Sequence, residues 1–194
     1  MNENFCWYKL KIDISDAIRS DWSWNHNEVR DISFIKDLTT IFNQKWLKSM
    51  YSKELFLTGA LLFYKKSKFI NQYAHSDVFS FEPRINCTHG INIVLGGKGS
   101  EMIWYDMPTF KGNQRPSVMS TKVSNELWPT EVLNERERYQ LQLNDITLVR
   151  TDIPHAISVG EEPRICISVR TIQSSKSWNE TVKLYLNKDL IELR

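Results

Sequence analysis

Residues 87–105 consist of two apolar runs, CTHGINIVL and EMIWY, on either side of the glycine-rich segment GGKGS. β-branched and aromatic residues, which favour strands, are frequent in both runs. Glycine adopts the positive φ angles of a tight reversal, so the stretch predicts a β hairpin. Similar patterns predict hairpins at residues 138–150, around Asn144-Asp145, and at residues 155–172, around residues 160–163. The centre of the chain is therefore predicted to be all strand.

The N-terminal third is predicted to add three strands and a helix. Residues 5–14, 54–64 and 69–81 have strand-like composition. Over residues 33–50, apolar side chains recur at steps of three and four, which is typical of an amphipathic helix. Near the C-terminus, the spacing Ser177-x-x-Glu180 is a capping box that predicts a second helix.

Many short antiparallel strands with one or two flanking helices indicate a mainly β protein, and we predict a jelly roll. A chain of 194 residues with 41% hydrophobic residues suits one domain, residues 1–194. The segment 107–137 is polar, contains several prolines and is longer than an ordinary connection. We expect it to be an inserted flap.

The charge is nearly balanced, with 25 Lys and Arg against 23 Asp and Glu, for a net charge of +2. This balance gives no strong attraction to nucleic acid, so a nucleic-acid partner is not expected. The three cysteines lack Cys-x-x-Cys spacing, so neither a disulfide framework nor a thiolate zinc site is indicated. A reducing, cytoplasmic location is therefore expected. No stretch approaches the roughly 20 apolar residues of a membrane span, so no membrane association is expected.

A His-x-Asp triplet, His75-Ser76-Asp77, lies within a predicted strand at residues 72–78. Side chains alternate between the two faces of a strand, so Tyr73, His75 and Asp77 share one face. His155 begins another predicted strand and offers a second imidazole. Two imidazoles and one carboxylate suit Fe(II) and leave positions for a small molecule and dioxygen. Taken alone, such a triplet is more often a surface or salt-bridged histidine than a metal site.

The combination of His75-x-Asp77, a distant His155 and Arg164 nine positions later resembles the Fe(II)/2-oxoglutarate-dependent oxygenases. The resemblance covers residues 64–170. It implies a double-stranded β-helix in which His75, Asp77 and His155 hold iron and Arg164 binds the distal carboxylate of 2-oxoglutarate. A planar guanidinium can hold a carboxylate with two parallel hydrogen bonds. Many family members have Arg-x-Ser, whereas this chain has Cys166 there and Ser168 two residues further on.

The resemblance also implies site roles and a reaction. Arg164, Ser168 and Tyr73 are predicted to bind the cosubstrate, and no catalytic residue is expected besides the metal ligands. Candidate substrate contacts are Arg84, Asn92 and Trp104, with loop, rim or core positions as the alternative. The expected reaction is hydroxylation of a small polar metabolite, an amino acid or a peptide side chain, with dioxygen and 2-oxoglutarate giving succinate and CO2.

Three alternatives remain open. A cupin-type jelly-roll metal protein, an isomerase or ligand binder, would use the same three ligands without 2-oxoglutarate. A noncatalytic binding domain would hold no redox metal. The spacing Arg164-x-x-x-x-x-Arg170 also resembles nucleic-acid demethylases of the superfamily, in which a second arginine on this strand supports the cosubstrate. Outside that subfamily, we expect Arg170 to be an exposed strand charge.

Overall fold

Two antiparallel sheets of six strands each make up most of the fold. A computed structural model describes residues 5–23, 32–81, 84–117 and 120–192. The strands are β1 (Trp7–Lys9), β2 (Ile32–Ile35), β3 (Leu57–Lys65), β4 (Tyr73–His75), β5 (Val78–Phe81), β6 (Arg84–Asn86), β7 (His89–Val94), β8 (Glu101–Tyr105), β9 (Asn113–Ser117), β10 (Ser120–Pro129), β11 (Glu135–Gln140), β12 (Ile146–Arg150), β13 (His155–Ser158) and β14 (Arg164–Thr171). The first sheet has the order β1-β12-β7-β14-β3-β2, the second has the order β11-β8-β13-β4-β10-β9, and β5 pairs with β6.

Two helices, α1 (Gln44–Ser52) and α2 (Trp178–Asn187), flank the sheets. The predicted capping box of α2 is confirmed: the Ser177 side chain accepts a hydrogen bond from the Glu180 backbone N–H, and the Glu180 carboxylate accepts one from the Ser177 backbone N–H. The helix predicted over residues 33–50 is wrong in its first half. Residues 32–35 form β2, which pairs with β3, and the Asn43 side chain caps α1 by accepting from the backbone N–H of Lys45.

The three predicted hairpins are wrong as pairings, although their strands exist. β7 pairs with β12 and β14, whereas β8 pairs with β11 and β13. Likewise, β11 and β12 lie in different sheets, as do β13 and β14. The short connections reverse the chain as predicted, but each also crosses the gap of about 10 Å that separates two packed sheets. Each connection therefore links the two sheets.

The segment 107–137 contains β9 and β10, which extend the second sheet beyond β4. Leu127 of β10 is the direct partner of His75 in β4, and β9 pairs with the outer side of β10. The end of the segment, from Glu135, already belongs to β11. The segment thus supplies sheet structure beside the predicted metal ligands. At the N-terminus, the strand predicted over residues 5–14 is limited to β1.

The largest apolar cluster joins both helices to the outer face of the first sheet. Trp46 and Met50 of α1, with Trp178 and Tyr185 of α2, pack in it together with Ile91 and Ile167 of the sheet. Burial of each such large side chain contributes about 1.5–3 kcal/mol. Alternate residues of the same strands face the second sheet instead and line a cavity; they are Asn92, Arg164, Ser168 and Arg170.

The two sheets are joined along one side. The Trp7 ring, on β1, stacks on Tyr139 of β11 with ring centroids 3.7 Å apart, and the Cys6 backbone N–H donates to the Glu137 carboxylate. The opposite edge strands are β2 and β9. Cys6, Cys87 and Cys166 are buried free thiols. Within the four described ranges, no helix is long and apolar enough to cross a membrane.

Candidate metal centre

The structure brings together the three predicted metal ligands. His75 ends β4 and His155 begins β13, where the two residues are direct partners across the sheet. Asp77 follows two residues after His75 and lies beyond the end of β4, although the predicted strand extended to residue 78. His75 Nε2 lies 3.6 Å from Asp77 Oδ1, and His155 Nε2 lies 4.0 Å from the same oxygen. One ligand atom from each residue lies within 4.8 Å of the others, so the trio could hold a metal ion.

Both imidazoles have features of metal ligands. His155 Nδ1 lies 3.0 Å from the Ile153 carbonyl oxygen, which fixes the proton on Nδ1 and leaves the lone pair on Nε2, facing Asp77. Burial, reinforced by the adjacent His155, lowers the pKa of His75 to about 4. His75 is therefore neutral near pH 7, which is the form that binds metals.

A buried ion pair orients Asp77. Arg170 Nη2 donates to Asp77 Oδ2 at 2.7 Å, so that Oδ1 faces the two imidazoles. Burial opposes ionisation of Asp77, but Arg170, His155 and His75 outweigh it and lower the pKa of the carboxyl. The expectation that Arg170 is an exposed strand charge is wrong: only 14% of its side chain is exposed. Its Nη1 donates to the His89 carbonyl at 3.2 Å.

Backbone hydrogen bonds hold the segment that carries Asp77. The Asp77 N–H donates to the Thr151 carbonyl at 2.8 Å, and the Asp77 carbonyl accepts from the Cys87 N–H at 3.1 Å. The Thr151 hydroxyl in turn donates to the Cys87 carbonyl at 2.6 Å. Asp77 lies outside β4, so these bonds replace strand pairing in fixing its position.

A cavity of about 550 Å³ lies between the sheets, lined by the triad and by Arg164 and Ser168. Arg164 is only 3% exposed, and its Nε donates to no group within the described residues. Asn92, the direct partner of Ser168 across β7 and β14, has a buried Oδ1 that is likewise unpaired there. Unpaired buried polar atoms are costly, and a carboxylate bound in the cavity would satisfy the guanidinium of Arg164.

The other predicted site residues are more scattered. Tyr73 lines the cavity and is 47% exposed, which places it at the mouth. Asn92 lines the cavity, whereas Trp104 is fully buried in an apolar cluster, where its indole N–H donates to the Arg150 carbonyl at 2.8 Å. Arg84 lies in β6, and its side chain is outside the described part of the structure.

Among the cavity residues outside the predicted site are two arginines, Arg115 and Arg170, of which only Arg170 had been considered, in the demethylase alternative. The alternation of β14 places Arg164 and Arg170 on one face, six residues apart, which is a signal that was available for Arg170. Arg115 lies in a polar segment without periodicity, which gave no signal.

Comparison of the chain with protein-family models and with curated proteins gives no match. The functional argument therefore depends on the chemistry of the cavity residues.

Proposed function

We propose that the chain is a double-stranded β-helix (jelly roll) and a non-haem Fe(II)- and 2-oxoglutarate-dependent dioxygenase that hydroxylates a small polar metabolite, an amino acid or a peptide side chain. The strand order supports the fold. Eight strands form the central rows β12-β7-β14-β3 and β11-β8-β13-β4. Along the chain they change sheet at every step except from β8 to β11, which is the winding expected of a jelly roll.

One observation carries the functional proposal: the His75, Asp77 and His155 cluster shares a cavity with the buried Arg164, whose Nε has no partner among the described residues. Two imidazoles and a carboxylate are the ligand set of non-haem Fe(II) oxygenases. A buried guanidinium suits a carboxylate ligand. The same cavity thus has separate groups for the metal and for the far end of 2-oxoglutarate.

Different residues of the cavity would bind the metal, bind the cosubstrate and exclude water. Nε2 of the two histidines and Oδ1 of Asp77 would hold Fe(II), with Arg170 fixing the carboxylate. Arg164 would bind the distal carboxylate of 2-oxoglutarate, beside Ser168. Phe63, Met102 and Ile157 form apolar parts of the wall and would exclude water. When bound, Fe(II) with 2-oxoglutarate and dioxygen supplies an oxidation that converts a C–H bond to C–OH and yields succinate and CO2.

A nucleic-acid demethylase of the same superfamily is a second candidate, and one observation favours it. Arg170 lines the cavity and contacts a predicted metal ligand, so this second arginine of β14 lies beside the site proposed for the metal and the cosubstrate. The net charge of +2 argues against it, because such proteins usually carry a basic surface. We therefore prefer a small substrate.

The direct test measures succinate from labelled 2-oxoglutarate in the presence of Fe(II), a reductant and dioxygen. We expect slow metal-dependent succinate release from the unaltered protein and none from His155→Ala. Arg164→Gln should raise the 2-oxoglutarate concentration required. Arg150→Gln is the matched control, since Arg150 pairs with Asp152 and does not line the cavity.

Binding measured without oxygen separates the alternatives. Mn(II) binding with no 2-oxoglutarate binding would favour a cupin-type protein. Absence of metal binding would favour a noncatalytic domain, and either result would contradict the proposed oxygenase. A cytoplasmic location, predicted from the cysteine pattern, is also part of the proposal, and a localisation experiment on the full chain would test it.

A further inference from the structure

The charged residues of the cavity wall are mostly cationic. Among the described lining residues, Lys65, Arg115, Arg164 and Arg170 are cationic, and Asp77 supplies the one carboxylate. Arg170 is paired with Asp77. Lys65 is the direct partner of Arg164 across β3 and β14, with its ammonium 4.9 Å from the centre of the Phe69 ring. Lys65 and Arg164 therefore belong to the part of the wall that we assign to 2-oxoglutarate. Arg115 is the remaining cation without an assigned role.

Arg115 lies on the other sheet and on the side of the cavity nearest the free edge. Arg115 is in β9 and is the direct partner of Asn125 in β10. Asn125 is two residues from Leu127, which is the direct partner of His75. Residues two apart on a strand share a face, so Arg115, Leu127 and His75 all face the cavity. Two strand spacings sideways and two residues along give about 12 Å between the Cα atoms of His75 and Arg115.

An extended arginine side chain is shorter than that distance, so its guanidinium can approach a ligand bound beside the metal without reaching the metal itself. Arg115 is exposed, and it has no ion pair within the described residues. Leu127 and Ile157 supply apolar wall nearby. The wall around Arg115 therefore combines an available cation with apolar surface.

Charge balance favours an anion at this position. In the complex proposed above, the charge of Fe(II) is offset by dianionic 2-oxoglutarate and that of Arg170 by Asp77. Arg164 would face the distal carboxylate of 2-oxoglutarate, so Arg115 is the cavity arginine to which no anion has been assigned. A cation confined between low-dielectric walls attracts an anionic ligand more strongly than one on an open surface.

We infer that Arg115 recognises an anionic group, a carboxylate or a phosphate, on a small-molecule substrate, several bonds from the carbon that is oxidised. The inference rests on the proposed function and narrows its substrate class from polar to anionic. It assigns Arg115 to substrate binding and Arg164 to the cosubstrate. A small molecule is favoured over a polynucleotide because a single edge arginine supplies the anion contact and the net charge is only +2.

The test uses the full chain saturated with Mn(II) and 2-oxoglutarate without oxygen, so that no turnover occurs. Calorimetry measures the binding of 3-phenylpropionate, its neutral amide, 2-phenylethyl phosphate and a short single-stranded oligonucleotide. We expect one of the anions to bind at least about tenfold more tightly than the amide, and Arg115→Gln to remove that preference. Lys111→Gln is the matched control, because it removes the same charge from an exposed position outside the cavity wall.

Each outcome has a defined meaning. Tighter binding of the phosphate or of the carboxylate identifies which anion the site prefers. The inference is overturned if neither anion binds up to millimolar concentrations, if Arg115→Gln leaves the preference intact, or if Arg115→Gln weakens only a single-stranded oligonucleotide. Failure of Mn(II) or 2-oxoglutarate to bind overturns the proposed function instead, and the anion preference is then judged in the metal-free protein by the same variants.

Discussion

The candidate metal ligands His75 and His155 lie in the second sheet and face the cavity, whereas His89 lies in the first sheet and faces α2. These two groups differ in what surrounds their ring nitrogens. On the helix side, His89 is fully buried, with Thr88 3.1 Å from Nδ1 and Thr171 3.2 Å from Nε2. In the cavity, His155 is 5% exposed, but its Nε2 faces the Asp77 carboxylate. His89 and His155 are thus almost equally buried. A ring nitrogen directed at a carboxylate distinguishes the candidate metal ligand from the structural histidine.

Arg170 connects the two groups. It donates to the Asp77 carboxylate on the cavity side and to the backbone carbonyl of His89. Its contact with Asp77 is an ion pair, whereas its contact with His89 involves only the backbone. The comparison therefore predicts that substitutions near the cavity change metal binding, whereas substitution of His89 changes stability.

The largest expected effect is on metal binding. His155→Ala removes a ligand, so the Kd for Mn(II) should rise by more than about 100-fold, the upper range for loss of an outer-shell partner alone. His89→Asn should leave this Kd unchanged. Titration followed by electron paramagnetic resonance measures both. Equal weakening by His89→Asn would remove the distinction between the two histidine groups.

The next effect concerns Arg164. Arg164→Gln removes charge-assisted hydrogen bonds to the cosubstrate carboxylate, so the Kd for 2-oxoglutarate should rise by about 10- to 100-fold. Arg164→Lys keeps the charge without the parallel pair of donors and should give an intermediate loss. Anaerobic calorimetry with Mn(II) present measures the affinity, and an unchanged Kd in Arg164→Gln would contradict the assigned role.

A smaller effect is expected for Arg170, the residue between the two groups. Arg170→Met removes the partner of Asp77 Oδ2 and should weaken Mn(II) binding by about tenfold, as for other outer-shell contacts. Arg138→Met, an exposed arginine paired with Glu101 and Glu135, is the control. If Arg170→Met lowers thermal stability without changing Mn(II) affinity, Arg170 serves the fold and not the metal site.

The smallest effect is a pH dependence that both groups share. Burial lowers the pKa of His89 to about 3 and that of His75 to about 4, below the value of about 6.5 for an unfolded histidine. Protonation therefore favours the unfolded chain, and the stability of the metal-free protein is greatest above pH 6.5 and falls toward pH 4. Between pH 6 and pH 5, protonation of each histidine in the unfolded chain should lower the free energy of unfolding by about 1 kcal/mol.

Urea unfolding at several pH values measures the slope of the free energy of unfolding against pH. His75→Asn and His89→Asn should each reduce it by about half. A slope that neither substitution changes would show that other groups control the acid sensitivity, and a slope reduced by only one substitution would identify which histidine group is responsible.

The sequence predicted the strands, and the clustering of His75, Asp77 and His155, better than it predicted strand pairing. Alternation in β14 separates Ile165, Ile167 and Val169 from Arg164 and Ser168, so the two faces of the strand can be recognised without a structure. Pairing depends on which sheet the chain enters after a turn, and a turn sequence such as residues 96–100 is compatible with either. Three hairpins were therefore predicted where the chain changes sheet.

The errors at the helix and at Arg170 have different physical causes. The apolar spacing of residues 33–50 suits a helix. However, the side chains of Asp37 and Asn43 each accept a hydrogen bond from a backbone N–H and so begin two separate short helices. Residues 32–35 instead pair with β3 as β2. Such capping residues were visible in the sequence. Arg170 was expected in solvent because an isolated charge is costly to bury, and only the structure reveals the Asp77 partner that offsets this cost.

The joined side of the two sheets has a mechanical consequence. Trp7, Tyr139 and Glu137 hold β1 and β11 together, whereas the far edge strands, β2 and β9, belong to separate sheets and are not paired with each other within the described residues. Any rotation of one sheet about the joined side displaces each strand in proportion to its distance from that axis. β9 is the sixth strand from it, whereas β13 and β4 are the third and fourth. Widening at Arg115 therefore displaces the histidines only about half as far.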